Sequence, residues 1–313
     1  MDTTMHAVRG HRRGGPDVLA YEVAPRPVPG DGDVLVEVRS ASITAGELDW
    51  DATWTDSLAP GGASRLPVIP AKQVAGVVVA VGPDADGPGV GDEVFGLIPF
   101  TRDGAAAEFT AVPAAVLAAK PPGLGFDEAA ALSLAGLTAW QGLVRHGGLR
   151  SGQRVLVHGA AGGVGSLAVQ VAAALGAEVI GTAGARHLDF VRGLGAERVI
   201  DHRAERFEDL VDEVDIVFDA VGGEVQRRSW GVLRDSGVLV SIVSPPHPDA
   251  AVPRGVFFVV EPDRAGLTEL SRLVEAGRLR VPVDQVVPLS TASAAYAALE
   301  RRGRRGKLVL RVA

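Results

Sequence analysis

RVLVHGAAGGVGSLAVQVAAALGAEVIGTAGAR, residues 154–186, sets glycines and alanines between runs of Val, Leu and Ile. RVLVHG reads as a buried strand, GVGSLAVQVAAALGA as a helix closed by glycine, and EVIGT as a second strand. The stretch is therefore a β-α-β unit. Gly159, Gly162 and Gly165 recur along its first turn, and in the alternative register Ala160, Gly162 and Gly165 match the dinucleotide fingerprint with alanine in first place. Small residues let the chain turn tightly, admit a pyrophosphate against the backbone and seat the helix close on the strand. The helix start then offers unpaired N–H groups and a positive dipole end to an anion. No Gly-Lys-Ser/Thr closes the turn, which excludes a P-loop.

The end of the second strand selects the dinucleotide. A carboxylate about 20 residues beyond the glycines would grip a ribose 2′-hydroxyl. This chain has Gly181, Thr182, Ala183 and Gly184 there, with Glu178 too early and Asp189 inside the next helix. Without that carboxylate a 2′-phosphate meets no repulsion, and Arg186 supplies a planar, permanently charged donor for it. NADP(H) is favoured over NAD(H). A solvated place in the first turn of a helix is the alternative for Arg186.

A chain of 313 residues that is 47% hydrophobic has room for two domains with a core in each. No apolar run is long enough to span a membrane, and the first 30 residues lack the apolar core of a signal peptide, so a cytoplasmic protein is expected. With no cysteine, thiolate chemistry is excluded, and the seven histidines show no metal-site spacing; no metal is expected. A net charge of -7 opposes nucleic acid as a partner. The basic run RRGRRGK, 301–307, reads as a solvated turn, with a role near cofactor phosphates as the alternative.

Residues 5–118 are β-rich, in short β-branched runs such as MHAVR, DVLVEVRSAS, VAGVVVAVG, DEVFGLIPF and AAEFTAV. Beyond KPPGLGFDEAAAL, strands expected at 153–158, 178–182, 197–200, 214–218, 237–243 and 255–260 alternate with helices. That pattern predicts a parallel, doubly wound sheet with its ligand at the strands' carboxyl ends. The tail contributes a helix and a strand that returns to the β domain. SPPHPDAAVPRG, 244–255, reads as a connection placed to act as a lid.

The motifs VIPAKQVAGVVVAVG, GDEVFGLIPF, GLTAW, VHGAAGGVG, LGAERVIDH, VFDAVGG and GKLVLRV, in this order, resemble the zinc-independent quinone oxidoreductase branch of the medium-chain dehydrogenase/reductase superfamily. The resemblance implies an α/β fold: a β-rich GroES-like catalytic domain over 1–121 and 278–313, and a Rossmann NADP(H)-binding domain over 122–277. It further implies a cleft for NADPH, a homodimer, and reduction of quinones or of the C=C bond of α,β-unsaturated carbonyls. Ala161, Gly162, Gly163 and Val164 match the family's pyrophosphate turn. Thr182, Gly184 and Arg186 match its 2′-phosphate segment, and His202 stands where many relatives carry a tyrosine. Ala220, Val221, Ser241, Ile242, Phe258, Val259 and Val260 correspond to segments bordering ribose and nicotinamide, with sheet core as the competing role.

Zinc-dependent relatives carry Gly-His-Glu where this chain has Ala71, Lys72 and Gln73, so a metal ligand is replaced by lysine. Related enoyl reductases carry Asn and an aromatic residue where this chain has Thr44 and Ala45. Neither Tyr21 nor Tyr296 lies in that loop, so no tyrosine proton donor is apparent. Thr44 is the leading polar candidate, for the nicotinamide ribose or the substrate carbonyl, and Lys72 is a candidate to stabilise negative charge, with a surface lysine as the alternative. Trp50, Trp54 and Phe100 are candidates for an apolar wall against a flat conjugated ligand, and Thr138 joins them by resemblance alone. Two other readings stay open: a metal-free alcohol dehydrogenase, and a catalytically inactive NADPH-binding scaffold or sensor.

Overall fold

The computed structural model describes residues 3–56, 62–246, 254–299 and 303–312. Its strands in chain order are β1 (Thr4–Gly10), β2 (Leu19–Pro25), β3 (Asp33–Ile43), β4 (Gln73–Val81), β5 (Glu93–Leu97), β6 (Phe109–Pro113), β7 (Leu117–Ala119), β8 (Arg154–His158), β9 (Glu178–Ala183), β10 (Arg198–Asp201), β11 (Val214–Asp219), β12 (Leu233–Ser241), β13 (Arg254–Phe257), β14 (Val283–Pro288) and β15 (Lys307–Arg311). The chain divides into two compact units: Met1–Leu134 with Glu261–Ser271 and Val283–Ala313, and Ala135–Val260 with Arg272–Pro282.

In the first unit β1 and β2 form an antiparallel pair, and seven strands form a sheet in the order β14-β15-β3-β4-β5-β7, with β6 also on β3. β3 organises this sheet because it pairs with β15, β4 and β6. Its sequence DVLVEVRSASI is β-branched and alternating, and Val34, Val36 and Val38 pack with Val74 and Val78 of β4 in one core. β15 lays the carboxyl-terminal strand beside β3, so the two ends of the sequence build one unit. β2, β7 and β14 are strands not expected from sequence; in β2, LAYEVAP, Tyr21 and Val23 face solvent and a proline ends it, so no apolar run marks it.

The second unit holds six parallel strands in the order β10-β9-β8-β11-β12-β13. This is the doubly wound arrangement, and the strand order reverses between β8 and β11, where open α/β sheets bind ligands. The expected strands are present within a few residues, except that β13 ends at Phe257 and leaves Phe258–Val260 beyond it. Of the proline-rich loop, residues 247–253 lie outside the described residues, as do Arg301 and Arg302 of the basic run.

The turn after β8 is held by backbone proximity. A Cβ on Gly165 would stand 2.2 Å from the Gly159 carbonyl oxygen, so the helix Gly165–Ala174 can begin there only with glycine. Gly159 itself has φ +71, in the left-handed region. Gly165→Ala should therefore lower stability by roughly 2 kcal/mol or more in urea unfolding. Gly231→Ala, where the added carbon meets nothing within 4 Å, should change it by less than about 0.5 kcal/mol. Equal effects at the two positions would contradict the packing described.

Candidate active site

In the second unit, β8 ends at His158 and the turn 159–164 delivers the chain to its helix. The Gly162 amide donates to the Gly159 carbonyl at 2.9 Å, and the Gly162 carbonyl accepts from Ser166 at 3.0 Å. The amides of Ala161, Gly163 and Val164 precede the helix's own ladder and lie at its positive end. The turn after β11 sits against this one: a Cβ on Gly159 would meet Val221 Cγ2 at 3.3 Å and the Ala220 carbonyl at 3.6 Å. Asp219 builds that second turn. Its buried Oδ1 accepts from the Val221 and Gly222 amides at 3.0 and 2.8 Å, and its Oδ2 from Gln226 Nε2 and Ser241 Oγ at 3.1 and 3.0 Å. Ser241 is thus turned inward to brace Asp219, while Ile242 donates its amide to the Asp219 carbonyl at 3.1 Å. Val221 remains 47% exposed beside the glycine turn.

At the end of β9 the side chains separate by direction. Thr182 is buried, and its hydroxyl meets His158 Nδ1 at 3.0 Å. Burial pushes His158 down to about 4, with Arg228 acting in the same sense against Asp219. The ring is neutral, and its tautomer follows from its neighbours. Ser229 Oγ donates to the Val225 carbonyl at 2.7 Å, so it accepts from His158 Nε2–H at 2.9 Å and leaves Nδ1 to accept from Thr182. Thr182 therefore turns its hydroxyl to the core, and only its carbonyl, accepting from Ala160 at 3.1 Å, borders the turn. Arg186 and His202 are exposed, and a Cβ on Gly184 would stand 3.8 Å from His202 Nε2. Arg186 Nε donates to His187 Nε2 at 3.1 Å.

The remaining residues of this unit divide between surface and core. Val259 is exposed, whereas Phe258 and Val260 are buried, the Phe258 ring tilted against His146 with ring centroids 4.4 Å apart. Thr138 is buried in the helix Phe126–Trp140.

In the first unit the loop after β3 carries a buried carboxylate that sequence reading passed over. Glu47 Oε1 accepts from the Ala71 amide at 2.6 Å and Oε2 from the Thr44 amide at 3.1 Å. Burial raises its pKa, opposed by those two amides and by the ammonium groups of Lys72 and Lys307. Lys72 is no surface residue: it is 1% exposed, and its Nζ donates to the Arg102 carbonyl. Burial, with repulsion from Arg65, lowers Lys72 to about 8 against the pull of Glu47 and Asp103. Lys307 Nζ donates to the Ile43 carbonyl at 2.9 Å and to Thr44 Oγ1 at 3.1 Å, and burial lowers it likewise to about 8. The closing lysine of the basic run is thus interior and not part of a solvated turn. Gln73 Nε2 also reaches Thr44 Oγ1, at 2.9 Å. Tyr296, distant in sequence from this loop, folds its hydroxyl back beside Glu47, without a hydrogen bond of normal geometry; burial first, and Glu47 second, raise its pKa well above the ordinary phenol value.

Ala71, where zinc-dependent relatives have glycine, keeps the glycine conformation with φ 67, pinned by Glu47 and by the Ala105 amide on its carbonyl at 2.6 Å. Of the three aromatic candidates, Trp50 and Phe100 meet edge to face at 5.8 Å, with Trp50 half-buried. Trp54 is core: its Nε1 donates to the Leu48 carbonyl at 2.8 Å and its ring lies over Gly10.

A metal does not fit this donor set. Among the described residues no group of three or more His, Asp or Glu side chains could hold one, and an ammonium at residue 72 would repel a cation. Among the described residues no helix is long and apolar enough to cross a membrane.

Two family models match the chain: an alcohol dehydrogenase GroES-like domain over residues 30–122 and a zinc-binding dehydrogenase over 194–310. A probable mitochondrial zinc-binding oxidoreductase of Arthroderma benhamiae is 33% identical, with 94% of this chain and 93% of that one covered. A chloroplastic NADPH-dependent alkenal/one oxidoreductase of Arabidopsis thaliana is 35% identical, over 95% of this chain and 77% of the relative. The solved quinone oxidoreductase of Coxiella burnetii superposes with a TM-score of 0.87 at 30% identity, covering 99% of this chain and 100% of the other.

Ala71→Gly should stabilise the protein by about 1 kcal/mol, because glycine adopts positive φ without the steric penalty; a loss of stability would contradict the strained conformation. Between pH 8 and 10.5 the unfolded chain holds protons that folded Lys72 has released, so its contribution makes stability rise with pH across that window. Urea unfolding at two pH values should show wild type gaining about 1–2 kcal/mol relative to Lys72→Met on going from roughly pH 7.5 to 9.5. Parallel pH dependence in the two proteins would exclude a depressed Lys72.

Proposed function

The chain belongs to the medium-chain dehydrogenase/reductase superfamily, in its zinc-independent quinone and enone oxidoreductase branch, and we propose that it reduces a quinone or the C=C bond of an α,β-unsaturated carbonyl with NADPH. The glycine turn after β8 carries this reading. Its backbone leaves no room for a Cβ at Gly165, its amides lie at a helix N-terminus, and the exit of β9 holds arginine and histidine in place of a carboxylate. That donor set fits a pyrophosphate and a 2′-phosphate. When bound, NADPH supplies a hydride from nicotinamide C4.

The amides of Ala161, Gly163 and Val164 would hold the pyrophosphate, with Gly162, whose own amide donates to the Gly159 carbonyl, shaping the turn beside it, and Gly184, Arg186 and His202 would hold the 2′-phosphate. Ala220, Val221, Ile242 and Val259 border the ribose and nicotinamide, supported from the core by Thr182, Ser241, Phe258 and Val260. On the first unit Thr44 hydrogen-bonds the acceptor, while Trp50 and Phe100 form an apolar wall and Trp54 belongs to the core. Lys72 acts as the counter-charge of Glu47 and not as a group touching the acceptor. Thr138, buried within its helix, is assigned to packing and not to the acceptor wall. We infer a cytoplasmic homodimer from the family resemblance; β13, which among the described residues is the last strand of its sheet, is where copies could pair.

Oxidation of NADPH, followed by loss of reduced-nicotinamide absorbance, should occur with quinones, enones or enals and be much slower with NADH. Tight NADPH binding without turnover across that panel would instead support an inactive scaffold. Arg186→Ala should weaken NADPH roughly tenfold and NADH less than about twofold. Equal losses for the two cofactors would remove Arg186 from the 2′-phosphate site.

A further inference from the structure

The Thr44 hydroxyl is approached by two donors. Gln73 Nε2 lies 2.9 Å and Lys307 Nζ 3.1 Å from Thr44 Oγ1. Neither approach can be reversed at neutral pH. Gln73 Nε2 also donates to the Ser42 carbonyl at 3.0 Å, so turning the amide over would set two carbonyl oxygens against each other. Lys307 is an ammonium without a lone pair, anchored a second time on the Ile43 carbonyl at 2.9 Å. A hydroxyl has two acceptor positions and one proton. At Thr44 both acceptor positions are filled, and no acceptor for the proton is present among the described residues. Thr44 as a residue is half-buried, not enclosed in the core.

Resting on the reductase reading above, we propose that Lys307 and Gln73 are positioning residues that make the Thr44 hydroxyl an obligate donor to the acceptor's carbonyl oxygen. A group that can only donate selects a partner that can only accept. Ketone, aldehyde and quinone oxygens meet that condition, and alkenes lacking a conjugated oxygen do not. Hydride delivered to the β-carbon pushes the C=C electron pair onto the carbonyl oxygen, giving an enolate; NADPH is oxidised to NADP+, and a proton from water completes the α-carbon. The charge thus develops on the oxygen that Thr44 faces, and the neighbouring ammonium polarises the O–H toward it. Thr44 also donates its amide to Glu47 at 3.1 Å, which holds the hydroxyl's backbone in place.

A double-mutant cycle with NADPH and 3-penten-2-one tests this, with NADPH affinity measured separately by fluorescence titration. Thr44→Val should lower kcat roughly 30-fold and leave the NADPH Kd within about twofold. Lys307→Met should lower kcat roughly tenfold in the wild-type background but less than about twofold when Thr44 is already Val, because its effect passes through the lost hydroxyl. Gln73→Leu, placed in the same cycle, gives the same comparison if Lys307→Met does not fold. An equal loss in both backgrounds would overturn the proposal and leave the reductase reading standing. So would a tenfold weaker NADPH Kd in Thr44→Val, which would assign the hydroxyl to the cofactor. Absence of turnover in the wild-type protein would instead overturn the reductase reading, and this proposal with it.

Discussion

The close approach of Gly165 to the carbonyl oxygen of Gly159 governs the second unit. A distance of 2.2 Å between that oxygen and a Cβ at residue 165 is forbidden, so the helix can start where it does only because the carbon is missing. This early start leaves the amides of 161–164 at a helix terminus, beside the place where the strand order reverses. The neighbouring turn, fastened by Asp219, brings Val221 against the same glycine. An anion site built this way depends on backbone and not on charged side chains, which suits a stretch with so little side chain to the pyrophosphate role proposed for it.

The first unit solves a different problem. Where metal-dependent relatives hold a zinc ligand, this chain buries the ammonium of Lys72 and a second one, Lys307, around the carboxylate of Glu47. Buried charges cost desolvation unless they are paired and hydrogen-bonded. Here the carboxylate accepts two backbone amides, the two ammonium groups donate to backbone carbonyls, and the strained Ala71 is held by the same carboxylate. The cluster keeps the loop after β3 rigid and sets the surroundings of Thr44.

Much of this was legible in the residues. The β-α-β unit, the strand alternation and the missing carboxylate after β9 are local features, written in periodicity and in glycine spacing. The groups that sequence reading passed over depend on distant parts of the chain. Lys307 meets Thr44 across 263 positions, and Tyr296 comes to Glu47 from a helix near the other end of the chain. A lysine in a basic run reads as solvated because charge density is local information, whereas its burial follows from β15 pairing with β3. Thr182 and Ser241 show the converse: resemblance marks their positions along the chain, but the direction of each hydroxyl depends on His158 and Asp219, which sequence alone does not pair with them.

In the proposed reaction hydrogen passes directly from NADPH, bound at the glycine turn, to carbon of a conjugated acceptor. The most direct measurement is mass and NMR analysis of the saturated ketone formed from an enone with NADPH carrying deuterium at C4 on one face and then on the other. One labelled face should place a single deuterium on the β-carbon, the other none, with solvent hydrogen on the α-carbon in both. Consumption of NADPH with no deuterium in the product from either face would contradict direct transfer, and the role of the glycine turn in presenting a hydride donor would fall with it.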